Sequence, residues 1–196
     1  MRPGTAWLLA LLTTAALTAC GDGGADNNPG AVPEELLTVA DLPDGWKTVP
    51  ADDGEDGTSP CLDKLFGQGG HLAPSAGAVA FAAGPDGPFL YAGSVDRPTE
   101  QALPEIDGIV VPCDATTGPT GYALKVQGAV IPGLPSDSFA AEGTNSKEGA
   151  TFRYTVVAAG TDEATAVVLV GARTGAVDQM VVADALNAMH DRLPRS

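Results

Sequence analysis

Hydrophobic and polar positions alternate most clearly in the second half of the chain. Over 122–131, Tyr122, Leu124, Val126 and Val130 fall on one side of a period-two pattern and Lys125 and Gln127 on the other, the mark of a half-buried antiparallel strand. Phe152, Tyr154, Val156 and Ala158 alternate with Arg153 and Thr155 in the same way. Gly160-Thr161-Asp162-Glu163 then turns the chain into 164–172, Ala-Thr-Ala-Val-Val-Leu-Val-Gly-Ala, which is apolar at both parities. A strand of that kind has no face to offer to water, so it is expected at the centre of a sheet. Phe139–Glu142 predicts a weaker strand, and 78–82 and 89–95 predict two more, joined by a turn at Gly84-Pro85-Asp86-Gly87.

Helical periodicity closes the chain. Val182, Leu186, Met189 and Leu193 recur at spacings of four, three and four with Asp184, Asn187 and Asp191 outside the stripe, which predicts an amphipathic helix across the sheet. A second helix is expected from Pro98 through Leu103, Ile106 and Val110, kinked or split at Pro104 because proline lacks the donor that a helix interior needs. Near the start of the folded part, Pro33 opens a short helix with Glu34 and Glu35 in its first turn, where the helix dipole favours anions, and Leu36, Leu37 and Ala40 form its buried face. Leu42-Pro43-Asp44-Gly45 reads as a turn, Trp46–Val49 as a short extended piece with Trp46 against the core, and Cys61–Phe66 as one or two helical turns. Together these elements predict one α+β domain over 33–196, a mostly antiparallel sheet with helices packed on one face.

The first 32 residues follow a different grammar. Arg2 precedes an uncharged run from Ala6 to Ala16, of the length of a signal-peptide core and too short to span a bilayer. Leu17-Thr18-Ala19-Cys20 resembles the lipobox of bacterial lipoproteins. The resemblance implies that the Cys20 thiol takes a diacylglyceryl group and that residues 1–19 are removed before it. Two acyl chains would then hold the protein stably on the extracytoplasmic face of the cell membrane. Residues 20–32, with Gly21 to Ala31 rich in Gly, Asp and Asn, show no apolar periodicity and are expected to act as a flexible tether.

Composition narrows the classes of function. The 196-residue chain has a net charge of −15, one unit more negative once Arg2 is removed. So acidic a surface repels nucleic-acid phosphates and anionic head groups, which argues against DNA or RNA as partner and leaves membrane contact to the acyl chains. Length is sufficient for one domain that buries roughly 70% of its unfolded surface. Cys61 and Cys113 remain as an even pair in an exported chain, and are expected to form a disulfide worth roughly 4 kcal/mol for a loop of about 50 residues. A metal or redox pair is disfavoured by the lack of any Cys-x-x-Cys or clustered histidine.

The order of features is also similar to that of a known family. A Leu-Leu helix leads into a Leu-Pro-x-Gly-Trp turn (Leu36 to Trp46), then come Cys61, two strands, a helix ending near Cys113, four strands and a terminal helix. This resembles the small actinobacterial lipoproteins related to the PknH-like extracytoplasmic sensor domain of receptor Ser/Thr kinases. The resemblance implies a sensor-like domain with a groove, and carries over no catalytic residues.

Catalytic chemistry finds little support in the residues. His71 lies in a glycine-rich loop and His190 on the polar side of the closing helix, with Ser136 and Ser138 as the only serines singled out for a spatial triad, and Gly-x-Ser-x-Gly is absent. Asp52-Asp53-Gly54-Glu55-Asp56-Gly57 lacks the ligand spacing of a calcium loop and reads as a solvated acidic segment, while Gly67-Gln68-Gly69-Gly70-His71 follows no strand and is set aside as a phosphate loop. The acidic residues, which fall in loops, turns and solvent faces, read as surface charge. No metal, cofactor or enzymatic activity is therefore expected. The aromatics Trp46, Phe89, Tyr91, Phe152 and Tyr154 are the candidates to line a ligand site. The expected function is a lipid-anchored, non-catalytic module that binds or senses a small molecule or cell-envelope component. The alternative is an accessory envelope lipoprotein acting through a protein partner. Only Pro194-Arg195-Ser196 follow the closing helix, so any signal is expected to pass through such a partner.

Overall fold

The structure is a computed structural model and describes residues 36–50, 79–110, 123–147 and 150–196. Cys20, Cys61, Cys113 and His71 lie outside the described residues. So do the signal segment, the tether, the start of the Pro33 helix, the Cys61–Phe66 turns, and the acidic and glycine-rich loops between 51 and 78.

Seven strands form one antiparallel sheet: β1 (Lys47–Val49), β2 (Val79–Ala82), β3 (Phe89–Val95), β4 (Ala123–Gly128), β5 (Phe139–Lys147), β6 (Ala150–Gly160) and β7 (Thr165–Ala172). Their spatial order is β1-β2-β3-β7-β6-β5-β4. The strand that is apolar at both parities, β7, stands fourth of seven and is buried along its whole length, as its composition requires. Among the described residues two long helices accompany the sheet, α1 (Thr99–Val110) between β3 and β4, and α2 (Gln179–Arg192) after β7. The chain thus leaves β3 through α1 to the far edge, returns by the β4-β5-β6-β7 meander, and sets β7 beside β3.

The helices do not share a face, contrary to the expectation that both would pack on one side. Ala102, Ile106 and Val110 of α1 pack with Val167 and Leu169 of β7 and with Tyr154, Val156 and Ala158 of β6. Val182, Leu186 and Met189 of α2 pack with Ala166, Val168 and Val170 of β7 and with Val157 and Ala159 of β6. Successive strand residues point to opposite faces, so these two sets lie on opposite sides of the sheet. The physical reason sits in β7 itself: a strand with Val167 and Leu169 on one face and Val168 and Val170 on the other must be covered twice. α1 also runs unbroken through Pro104, whose side chain is exposed on the solvent side, away from the buried Ala102 and Ile106.

The outer segments are tied to α2 by polar contacts. Leu36 and Leu37 enter the α2-side core, and a 3-10 turn at Val39–Asp41 follows. Ala40, expected on the buried face of that helix, is exposed because the chain leaves helical geometry after Leu36. Asp41 accepts from Arg192 through both of its oxygens, at 2.7 and 2.5 Å, and Arg192 also donates to the Leu36 carbonyl at 2.9 Å. The guanidinium and the Thr38 backbone and hydroxyl donors hold the Asp41 carboxyl well below the usual carboxylate range.

A group whose folded pKa is depressed contributes stability that is complete above its unfolded pKa, about 3.9, and is lost as pH falls below it. Arg192→Met is expected to lower unfolding free energy by about 1–2 kcal/mol at pH 7. The deficit should shrink progressively below about pH 4, where protonation of Asp41 weakens the same clamp in the parent. Urea unfolding at pH 7, 4 and 3 measures it. A deficit that is equal at all three pH values would show that the clamp contributes by packing alone.

Candidate functional site

α2 covers the central strands but leaves the outer half of its face of the sheet open. On that side, β4, β5 and β6 present polar residues: Gln127, Glu142, Thr144, Arg153 and Thr155. Together with Gln179 of α2 they line a cleft of about 790 Å³. Ala176 and Val177, in the connection between β7 and α2, add a small apolar wall. A volume of this order lies within the range of small-molecule sites, roughly 300–1,000 Å³.

Strand register places each group. Gln127 stands opposite Glu142, Glu142 opposite Thr155, and Thr144 opposite Arg153. Arg153 in turn faces Ala172, the last residue of β7, so the cleft opens where the central strand ends and α2 begins. Asp178 caps α2 by accepting from the Met180 amide at 2.9 Å, which fixes the first turn of the helix and Gln179 with it. Gln179 Nε2 donates to Glu142 Oε1 at 2.8 Å and joins the helix to β5 across the cleft. The Arg153 guanidinium makes no hydrogen bond or ion pair with the described residues, unlike Arg97, Arg192 and Arg195, which pair with Glu105, Asp41 and Asp191.

The opposite face of the same strands is built of aromatic and small residues. The Tyr154 ring lies over Gly143, where a Cβ would fall 2.3 Å from its Cζ, and the Phe152 ring lies over Gly171, where a Cβ would fall 2.1 Å away. Glycine at each position lets a ring lie flat on the neighbouring strand. Burial pushes the Tyr154 phenol up to about 12, so it remains neutral at physiological pH. Asn145, opposite Phe152 and 4% exposed, has its Oδ1 without a hydrogen-bond partner among the described residues.

The aromatic candidates are therefore divided between two layers. Trp46 is buried in the α2-side core with Leu36, Leu37 and Phe81. Phe89, Tyr91, Phe152 and Tyr154 share the α1 side of the sheet. Among these five only Tyr154 borders the cleft. Ser136 and Ser138 lie in the β4–β5 connection, and His190 in the last turn of α2. No family model matches the chain, and no curated protein does.

More than one solved chain bears a likeness to this one, and one of these is weakly similar over most of its length. It is LpqN, described as involved in cell envelope biogenesis of Mycobacterium tuberculosis, at 17% identity over 86% of this chain and 88% of that one, with a TM-score of 0.37. No helix among the described residues is long and apolar enough to cross a membrane.

The sequence did not single out the cleft residues as a group. Gln127 and Arg153 were legible only as the polar side of alternating strands, and Glu142 only as the end of a weak one. No signal in the sequence set this side apart, because Lys125 and Glu142 share it with Gln127, Thr144, Arg153 and Thr155, the mixture of an ordinary solvated face.

Proposed function

We propose that the protein is a non-catalytic binding module held on the extracytoplasmic face of the membrane through a lipidated Cys20, and that its ligand occupies the cleft between the β4–β6 end of the sheet and the start of α2. The observation that carries the reading is the cleft: about 790 Å³, floored by strands in fixed register and containing an arginine that the described fold leaves unpaired. A rigid sheet floor supports a binding role because its side chains need little ordering when a ligand arrives. The anchor rests on the Leu17-Thr18-Ala19-Cys20 stretch.

Native mass spectrometry of the full chain expressed in its own host tests both parts. The expected product begins at Cys20, carries a diacylglyceryl adduct and retains a non-covalent small molecule, which Thr144→Trp, filling the cleft floor, expels. Retention of Met1 without an acyl adduct would sink the anchor. A parent protein without any retained small molecule, or a Thr144→Trp variant that still holds it, would sink the cleft as the site.

A further inference from the structure

The chemistry of the cleft selects a class of ligand, an inference that rests on the cleft being the binding site. Directly opposed side chains on one face of a sheet start about 5 Å apart at Cβ, and the next row along the strands lies about 7 Å away. Three strands therefore spread Gln127, Glu142, Thr144, Arg153 and Thr155 over a platform about 10 Å by 7 Å, the scale of one or two sugar rings. Amide, hydroxyl and carboxylate groups at that spacing can donate to and accept from several hydroxyls at once.

Arg153 adds a different demand. In a chain with 25 acidic residues against 10 basic ones, a carboxylate partner for an arginine is easily found, and Arg97, Arg192 and Arg195 each have one. Arg153, like the exposed Arg173 before α2, has none among the described residues, but Arg153 alone of the two lines the cleft, with Glu142 one row away on the same face and engaged by Gln179. The exposed guanidinium thus keeps its fork of donors free at the lining of the cleft, where it can meet a carboxylate or phosphate through two parallel hydrogen bonds. A neutral sugar would leave that fork empty, and a bare anion would leave the platform unused. A ligand with several anionic groups would set all but one of them against Glu142 and the acidic surface.

We propose that the cleft binds a small, hydroxyl-rich ligand with a single anionic group, a sugar bearing one carboxylate or phosphate, with Arg153 on the anionic group and Gln127, Glu142, Thr144 and Thr155 on the hydroxyls. The full-length chain in detergent is titrated calorimetrically with glucuronate, glucose 6-phosphate and glucose. At least one charged sugar binds about tenfold or more tightly than glucose, and the preference between the two tells carboxylate from phosphate. Arg153→Gln reduces that affinity to the level of glucose, and Arg153→Lys, which keeps the charge without the fork, restores only part of it.

Equal affinity for all three probes, an unchanged affinity in Arg153→Gln, or no heat from either charged sugar overturns the proposal. Thr144→Trp, checked for an unaltered melting temperature, separates this failure from failure of the cleft itself. Glucose binding equal to that of the charged sugars and lost in Thr144→Trp overturns the ligand class and leaves the cleft as the site. Charged-sugar binding that survives Thr144→Trp overturns both.

Discussion

Leu186→Ala is expected to destabilise the protein by about 2–5 kcal/mol, a large share of the 5–15 kcal/mol typical of a domain. Leu186 is 0% exposed at the middle of α2, in the same cluster as Val157, Val168 and Val170 of the central strands. Truncation removes apolar burial and leaves a cavity against a sheet that cannot sink to fill it, because β7 is packed on its other face by α1. In a chain of this size each kcal/mol lowers the melting temperature by about 2–4 °C, so a fall of roughly 4–20 °C is expected. Asp184→Ala, an exposed position on the opposite side of the same helix, should change stability by less than about 0.5 kcal/mol. Differential scanning calorimetry on both variants decides the matter. Equal melting temperatures would mean that α2 does not cover the sheet as described.

The second large effect is expected at Gly160, the last residue of β6. A Cβ there would fall 2.2 Å from the Ala164 carbonyl oxygen and 2.6 Å from the Thr165 Cα, so backbone rather than a movable side chain stands in the way. The turn cannot shift without disturbing several elements. The Thr161 amide donates to the Ala164 carbonyl at 2.8 Å, the Thr99 amide at the start of α1 donates to the Thr161 carbonyl at 3.0 Å, and the Thr161 hydroxyl donates to the Pro194 carbonyl at 2.8 Å. Thr165, completely buried, donates its hydroxyl to the Arg97 carbonyl at 2.9 Å. The β6–β7 turn therefore links the sheet to α1 and to the segment after α2. Gly160→Ala should lower stability by about 1–3 kcal/mol or more, the range for overpacking a tight site. Urea titration should show a lower midpoint with an unchanged slope. A midpoint equal to that of the parent would mean the turn relaxes without cost.

The two variants also bear differently on the cleft. Leu186 packs on the part of the sheet that α2 covers, whereas Gln127, Thr144 and Arg153 lie on β4, β5 and the start of β6, outside the apolar cluster beneath the helix. One helix thus determines both how well the centre of the sheet is sealed and how much of its edge is left as a binding floor.

Periodicity alone was enough to locate most elements. Six of the seven strands were legible as alternating or wholly apolar runs, and the fit is close for Phe89–Val95 and Thr165–Ala172. β5 was under-read: Phe139–Glu142 was expected, whereas the strand continues to Lys147, because Gly143, Thr144, Asn145 and Ser146 have low apolar content and pair only because β4 and β6 flank them. The α2 stripe was read with its buried and solvent sides correctly assigned, since spacings of three and four allow only one face.

What local pattern determined, then, was the identity of the elements, the central place of β7 and the acidic character of the chain, since each depends on residues close together in sequence. The assignment of the helices to opposite faces, the pairing of β7 with β3, the division of the five aromatics between two layers, and the gathering of Gln127, Thr144, Arg153 and Gln179 into one cleft were decided by the tertiary structure alone. Those features depend on strand order and register between segments far apart in sequence, and a side chain's parity along its own strand says which neighbours it shares a face with only once that order is set.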